Sequence, residues 1–297
     1  MLETLIIPEN VRREHVTCDL CGSDKLEEWD RARTNNLSRC RQCALIFTNP
    51  RIAEWQEKDR IVYAKDYFQQ KSRMTHKLVR ARTRVFKSEI RAIKQYIPQG
   101  RILDVGCGTG AFLSSFGNNW DKYGCDTSSY ALDIAKQKGI KIFHDEFENL
   151  DFDNSQFDVI CFRASLHHTY SPQLCLKKAY TLLKSNGLIV ISMSNNVDSV
   201  CGRLFKAHIK SYEQAHNYLF SKNTLIAYLT MAGFKIEKIK HPYFGTGYES
   251  VKDFLSIVPL YLKYCYLKKK MRLNQPDTYN FKSPTFYGNY ISVYAQK

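Results

Sequence analysis

No stretch of these 297 residues comes near the ~18 consecutive apolar positions that a membrane-spanning helix needs. The longest candidate, Phe254 to Leu262, is far too short and contains Pro259. The opening MLETLIIPENVRREH has no apolar core of signal-peptide length. Together these absences predict a soluble, cytoplasmic chain, where thiols stay reduced, so the ten cysteines are not expected to form a disulfide framework. Internal repeats and low-complexity tracts are missing as well. Acid is scarce: 29 Asp and Glu face 44 Lys and Arg, a formal charge of +15. That excess suits an anionic partner, whether nucleic acid, a phosphate-bearing small molecule or a membrane surface, and equally suits a solvated basic exterior.

What is present starts with four cysteines. Cys18 and Cys21, then Cys40 and Cys43, form two C-x2-C pairs separated by eighteen residues. Each pair can turn two thiolates toward one cation, and two such turns make a closed tetrahedral sulfur site suited to structural Zn²⁺. Residues 1–50 are therefore expected to be a zinc-ribbon-like module, with 45–47 as a short strand and the metal compensating for a small core. The other six cysteines read as small core residues.

Asn49-Pro50-Arg51 ends that module. Residues 51–99 read as a helical linker or lid, with short helices over 52–70 around Trp55, Tyr63, Tyr67 and Phe68. A long helix is predicted over about 73–97. Leu78, Val85, Phe86, Ile90, Ile93 and Ile97 mark its apolar side. Arg73, Lys77, Arg80, Arg84, Lys87, Arg91 and Lys94 step by three or four and form a basic stripe. From residue 100 to 240 strands alternate with helices, which predicts an α/β domain with a largely parallel sheet covered on both faces. Its strands fall at 101–105, 122–125, 141–143, 157–162, 188–193 and 234–240, with a last strand at 290–295. Its helices fall after the glycine turn through 115, and at 129–138, 172–184 and 222–232.

Within ILDVGCGTGAFL, residues 102–113, the glycines Gly106, Gly108 and Gly110 follow G-x-G-x-G. The dinucleotide pattern G-x-G-x-x-G is absent, so a pyrophosphate is not required. Asp104 precedes the turn, and Asp126 ends the second strand 22 residues later, where an acid accepts hydrogen bonds from ribose hydroxyls. The ligand thus has a ribose and an anionic, amino-acid-like end.

These residues closely resemble the first two motifs of class I S-adenosylmethionine-dependent methyltransferases, a Rossmann-like fold, and the resemblance extends over about 100–240. It implies a cofactor set of Asp104, Gly106, Cys107, Gly108, Thr109, Gly110, Asp126, Thr127, Glu146, Phe147 and Arg163, with Tyr67, and with Tyr63 beside it, as a lid. In HDEFENL, residues 144–150, the resemblance puts Glu146 on the adenine amino group and Phe147 beside the ring. Asp145 stands where glycine is common, so either acid can make that contact. SLHHTYSP resembles the family's L-E-H-V-x-D-P segment, with His167 replacing its acid and His168 matching its histidine. EQAHNYLFSKNTLIAYLTMAGF resembles a P-x-H-x-x-x-F-S segment in which His216 is the match.

A ribbon joined to this domain is similar to bacterial methyltransferases of sugar and surface-polysaccharide synthesis. The resemblance implies methyl transfer to a hydroxyl of a sugar, nucleotide sugar or related glycan precursor. The sugar C-methyltransferases usually carry a further large C-terminal domain, so a chain this short points to oxygen. His168, His216 and His167 are the candidate bases. Residues 241–297 read as a substrate cap and final strand. Their basic cluster at Lys268, Lys269, Lys270 and Arg272 allows peripheral contact with the inner membrane face. Two other readings stay open: an RNA methyltransferase gripping phosphates with the ribbon and the basic stripe, and a cofactor-binding protein without turnover.

Overall fold

The computed structural model describes residues 10–32, 35–54, 56–57, 68, 76–213, 215–246, 248–273, 275, 278 and 281–297. Tyr63, Tyr67, Trp55 and Arg73, and the side chains of Lys77 and Leu78, lie outside the described residues, as does most of 52–70.

The chain begins with five short strands: β1 (Arg13–Glu14), β2 (Leu26–Ala32), β3 (Asn35–Cys40), β4 (Ile46–Thr48) and β5 (Arg51–Ile52). Helix α1 (His76–Lys94) leads into β6 (Gly100–Val105), β7 (Trp120–Asp126), α2 (Ser129–Lys136), β8 (Lys141–His144) and β9 (Phe157–Arg163). Next come α3 (Pro172–Leu182), β10 (Leu183–Asn195), α4 (Val200–Phe205), β11 (Tyr218–Leu219), α5 (Lys222–Met231) and β12 (Lys235–Lys240). Helix α6 (Phe254–Lys269) and strand β13 (Tyr290–Gln296) complete the described elements. Two compact units result, each drawn from segments distant in sequence: 1–62 with 195–225 and 243–290, and 63–194 with 226–242 and 291–297.

The second unit is a Rossmann-like α/β fold with helices and a mostly parallel sheet. Its seven strands run in the order β12-β13-β10-β9-β6-β7-β8. Strands β6 to β10 pair in parallel, and β12 pairs antiparallel with β13. Parallel pairing brings the carboxyl ends of β6, β7, β8 and β9 to one edge, where Val105, Asp126, His144 and Arg163 end their strands. Strands β6, β9 and β10 are buried over most of their length, as covered central strands require, while β7 and β8 toward the edge are only partly buried. Phe86, Ile90 and Ile93 of α1 pack on Ile102, Val159 and Val190 of the sheet. Burying each such side chain contributes roughly 1.5–3 kcal/mol. Arg80, Arg84, Lys87, Arg91 and Lys94 stay exposed on the opposite side of α1, as the stripe predicted.

One expected helix is missing. After the glycine turn there is only a 3-10 turn at Leu113–Ser115. The Ser114 and Ser115 hydroxyls donate back to the Gly110 and Ala111 carbonyls, which bends the backbone, and Gly117 and two asparagines follow. Ser128 is the N-cap of α2, but its hydroxyl does not cap.

In the first unit, β2, β3 and β4 form an antiparallel sheet to which β11 adds a fourth strand, in the order β11-β4-β3-β2. Leu37 and Ile46 of that sheet share a core with Val197, Phe205, Tyr212, Leu219, Tyr264 and Leu267. The N-terminal sheet therefore has a hydrophobic support besides any metal, which its first fifty residues did not reveal. Cys107, Cys125, Cys161, Cys175 and Cys201 are buried as expected, but Cys265 is exposed. Helix α6 is apolar on both of its sides, so periodicity could not tell which side faced inward.

Candidate active site and metal centre

The glycine turn is held from beneath. The Gly106 and Cys107 amides both donate to the Cys125 carbonyl of β7, at 2.9 and 3.0 Å. Gly106 has φ +75°, and a Cβ there would lie 2.6 Å from the Ser165 Cβ. Gly110 has φ +68°, and a Cβ there would press on Ile140 and Ala135. Only glycine meets both demands, the left-handed backbone and the close approach. The Thr109 carbonyl accepts from Lys138 Nζ at 2.6 Å.

Asp126 ends β7 with its carboxylate already engaged. It accepts from Gly108 N at 2.8 Å and from Ser128 N at 3.0 Å. Next to it, His144 Nε2 donates to the Thr127 carbonyl at 2.8 Å, which ties the end of β8 to that of β7. In the following loop, Asp145 accepts from Glu146 N at 2.7 Å and from Asn149 Nδ2 at 2.9 Å. Asp145 thus caps this turn through Oδ1. Phe147 is buried, edge-to-face with Phe162 at 5.6 Å.

Asp104 is buried and its Oδ1 has no hydrogen-bond partner. Burial pushes its carboxyl up to about 8, with Arg163 pulling the other way and Glu89 and Asp126 adding to the rise. The Ser165 hydroxyl, across from Gly106, is also buried and unpartnered. Unmet polar groups of this kind beside a backbone cradle suit a ligand that brings its own donors. The sign of the resulting pH dependence is fixed. Between the ordinary carboxyl value of 3.8 and about 8, the unfolded chain gives up the Asp104 proton while the folded chain keeps it. Stability from this group is therefore complete below 3.8 and lost as pH rises toward 8, at up to about 1.4 kcal/mol per pH unit. Asp104→Asn is expected to flatten the decline in ligand-free stability between pH 5 and pH 8. Urea titrations at several pH values measure it; equal slopes in both proteins would refute the assignment.

Arg163 ends β9 and donates from Nε to Glu89 at 2.8 Å, with both side chains nearly inaccessible. Its guanidinium also lies 4.4 Å from the Phe86 ring centre and its Nη2 is 3.0 Å from Met193 Sδ. Glu89 is the residue that sequence reasoning passed over. It is the lone acid of α1 and falls on the apolar side with Phe86, Ile90 and Ile93, a signal the seven basic residues obscured. Phe68 also lies beside the glycine turn. It sits 3.6 Å from where a Gly108 Cβ would stand, and its ring is 6.4 Å from that of Tyr130.

A 3-10 turn at Leu166–His168 follows β9. His167 is buried, His168 is half-buried, and their rings are 4.4 Å apart. His216 belongs to the first unit. It is buried, with Nδ1 3.3 Å from Asn195 Nδ2 and its ring edge-on to Tyr212, while its carbonyl accepts from the Thr48 hydroxyl at 2.7 Å.

The same unit holds the four cysteines. Gly22 N donates to the Cys18 carbonyl and Ala44 N to the Cys40 carbonyl, closing one tight turn around each pair. Gly22 and Ala44 adopt φ of +72° and +63° to do so. Cys18 and Cys43 sulfurs are 3.4 Å apart, Cys21 and Cys40 sulfurs 3.5 Å, and all four lie within 4.8 Å of one another. A tetrahedral cation with metal–sulfur bonds of about 2.3 Å sets its sulfurs about 3.8 Å apart. Burial pushes the Cys18 thiol up and the Cys43 thiol up to about 11. At Cys40 burial is outweighed by the Cys43 and Gln42 peptide groups, which bring it down to about 7. The donor set fits a soft or borderline cation with no open position.

The family model described as a methyltransferase domain matches residues 68–239. An uncharacterized protein of Methanocaldococcus jannaschii is 35% identical over 154 residues, covering 51% of this chain and 72% of that protein. A demethylmenaquinone methyltransferase of Staphylococcus saprophyticus is 26% identical over 166 residues, covering 51% and 71%. Among solved structures, a SAM-dependent methyltransferase from Archaeoglobus fulgidus superposes with a TM-score of 0.52 at 19% identity, covering 79% of this chain and all of that one.

Proposed function

This chain belongs to the methyltransferase-domain family of S-adenosylmethionine-dependent methyltransferases, and from that premise we propose that its acceptor is a hydroxyl of a sugar, nucleotide sugar or related glycan precursor. When bound, S-adenosylmethionine supplies a methyl group activated on a sulfonium sulfur. In this reading Asp126 and Glu146 hold the ribose and adenine, and Asp104 and Ser165 use their unmet polar atoms on the amino-acid end. The glycine turn lets the backbone come close, and Thr127, Thr109 and Cys107 shape its walls. Arg163 is kept in place by Glu89. Zn²⁺ on Cys18, Cys21, Cys40 and Cys43 is proposed as structural.

The observation that carries the hydroxyl reading is the pair of touching imidazoles, His167 and His168, directly after the carboxyl end of β9. A hydroxyl acceptor must lose its proton as the new bond forms, and a neutral imidazole takes it at physiological pH. Such a base contributes about 10²–10⁴-fold. His216 is the alternative candidate in the first unit. A second reading rests on the exposed basic stripe of α1, Arg80 to Lys94, which suits the phosphates of RNA.

One experiment separates them. The full-length protein is incubated with methyl-labelled S-adenosylmethionine and an extract of the cells that express it. Label in phosphatase-sensitive small molecules or glycan is the expected result. His168→Ala, His167→Ala and His216→Ala then identify the base by a fall of about 10²-fold or more at unchanged cofactor affinity. Nuclease-sensitive label would overturn the sugar reading in favour of RNA, and absence of any transfer would leave a cofactor-binding protein.

A further inference from the structure

Helix α6 has two apolar sides. Ile257, Tyr264 and Leu267 face the core of the first unit. On the other side Leu255, Val258, Leu262 and Tyr266 step by three and four residues, and are 81, 67, 65 and 60% exposed. A helix that is apolar all round is ordinarily covered all round. Here the outward stripe faces solvent, and Val251 and Met271 extend it at either end of the helix.

The stripe has a rim of one sign. Lys252, Lys263, Lys268, Lys269, Lys270 and Arg272 are all exposed, and positions 254–273 contain no acid. The acid that precedes the helix in sequence, Asp253, accepts from the Thr285 hydroxyl at 3.3 Å. Sixteen residues make a helix about 24 Å long, and among the described residues no helix is long and apolar enough to cross a membrane.

We propose that the outer face of α6 is a docking surface for an anionic lipid bilayer, with the helix lying in the plane of the interface. Leu255, Val258 and Leu262 enter the acyl boundary, Tyr266 sits at headgroup level, and the lysine stems run along the apolar surface while their ammonium groups meet lipid phosphates. Charge complementarity selects this occupant over a second copy of the chain. A two-fold contact through the same face would bring two all-cationic rims together. This surface does not depend on which acceptor receives the methyl group.

The test is flotation of the full-length protein with vesicles of phosphatidylcholine alone or of phosphatidylcholine mixed with phosphatidylglycerol. Binding to the mixed vesicles only is expected, and raising salt to about 0.5 M should weaken it by roughly tenfold or more. The variants Leu255→Ser/Val258→Ser/Leu262→Ser and Lys268→Gln/Lys269→Gln/Lys270→Gln should each lose at least about tenfold. Both alter exposed positions only, and an unchanged thermal melt verifies that they fold. The proposal is overturned if the wild type does not float with phosphatidylglycerol, or if the serine variant floats equally well. It is also overturned if sedimentation shows a concentration-dependent dimer that the serine variant abolishes, since the face would then belong to a second copy.

Discussion

Asp126→Ala is expected to weaken S-adenosylmethionine binding by roughly 10²–10⁴-fold in calorimetric titration. The loss has two sources. The carboxylate is proposed to accept the ribose hydroxyls, and it also accepts from Gly108 N and Ser128 N. Hydrogen bonds to a charged group are worth about 1.5–3 kcal/mol each. Removing the carboxylate leaves two amides unpaired and removes the tie of Gly108 to β7, while the Gly106 and Cys107 amides stay on the Cys125 carbonyl, so the cradle loosens as it loses its ligand contact. Asp126→Asn keeps one good acceptor and should lose only about tenfold. An alanine variant that binds within about threefold of the wild type would remove Asp126 from the site.

Chelation should have the other large effect. A closed four-cysteine zinc site supplies folding free energy directly. A zinc-binding dye should detect about one ion released per chain on thiol oxidation. Stripping the ion, or replacing Cys40 with serine, is expected to lower the melting temperature by about 10 °C, since several kcal/mol correspond to ~2–4 °C each in a chain of this size. The drop should stop short of full unfolding because Leu37 and Ile46 also pack on Phe205 and Leu219. A metal-free protein with an unchanged melt would mean that this core alone carries the N-terminal sheet.

The parts of the molecule that were legible in its sequence are those written in short-range code. The central parallel strands β6, β9 and β10 showed as apolar runs of buried residues. The turn at Gly106, Gly108 and Gly110 showed because only glycine tolerates its backbone, and the cysteine pairs because a knuckle has a fixed spacing. Long-range partnerships were not legible. Nothing local says that Tyr218 and Leu219 pair with Phe47 and Ile46, or that Glu89 meets Arg163 across 74 residues. Where local code was ambiguous the reading failed for a physical reason. Serine back-bonding and Gly117 reduced an expected helix to one turn, and a helix apolar on two sides hid that Cys265 faces out.

The fourth strand of the N-terminal sheet has a consequence for synthesis. Residues 35–40 and 46–48 leave the ribosome with one edge of β4 unpaired, and its partner at 218–219 follows some 170 residues later. At about 5–20 residues per second that is roughly 10–30 s. Until then the sheet leaves Leu37 and Ile46 uncovered beside an open strand edge, the kind of edge on which another chain can pair.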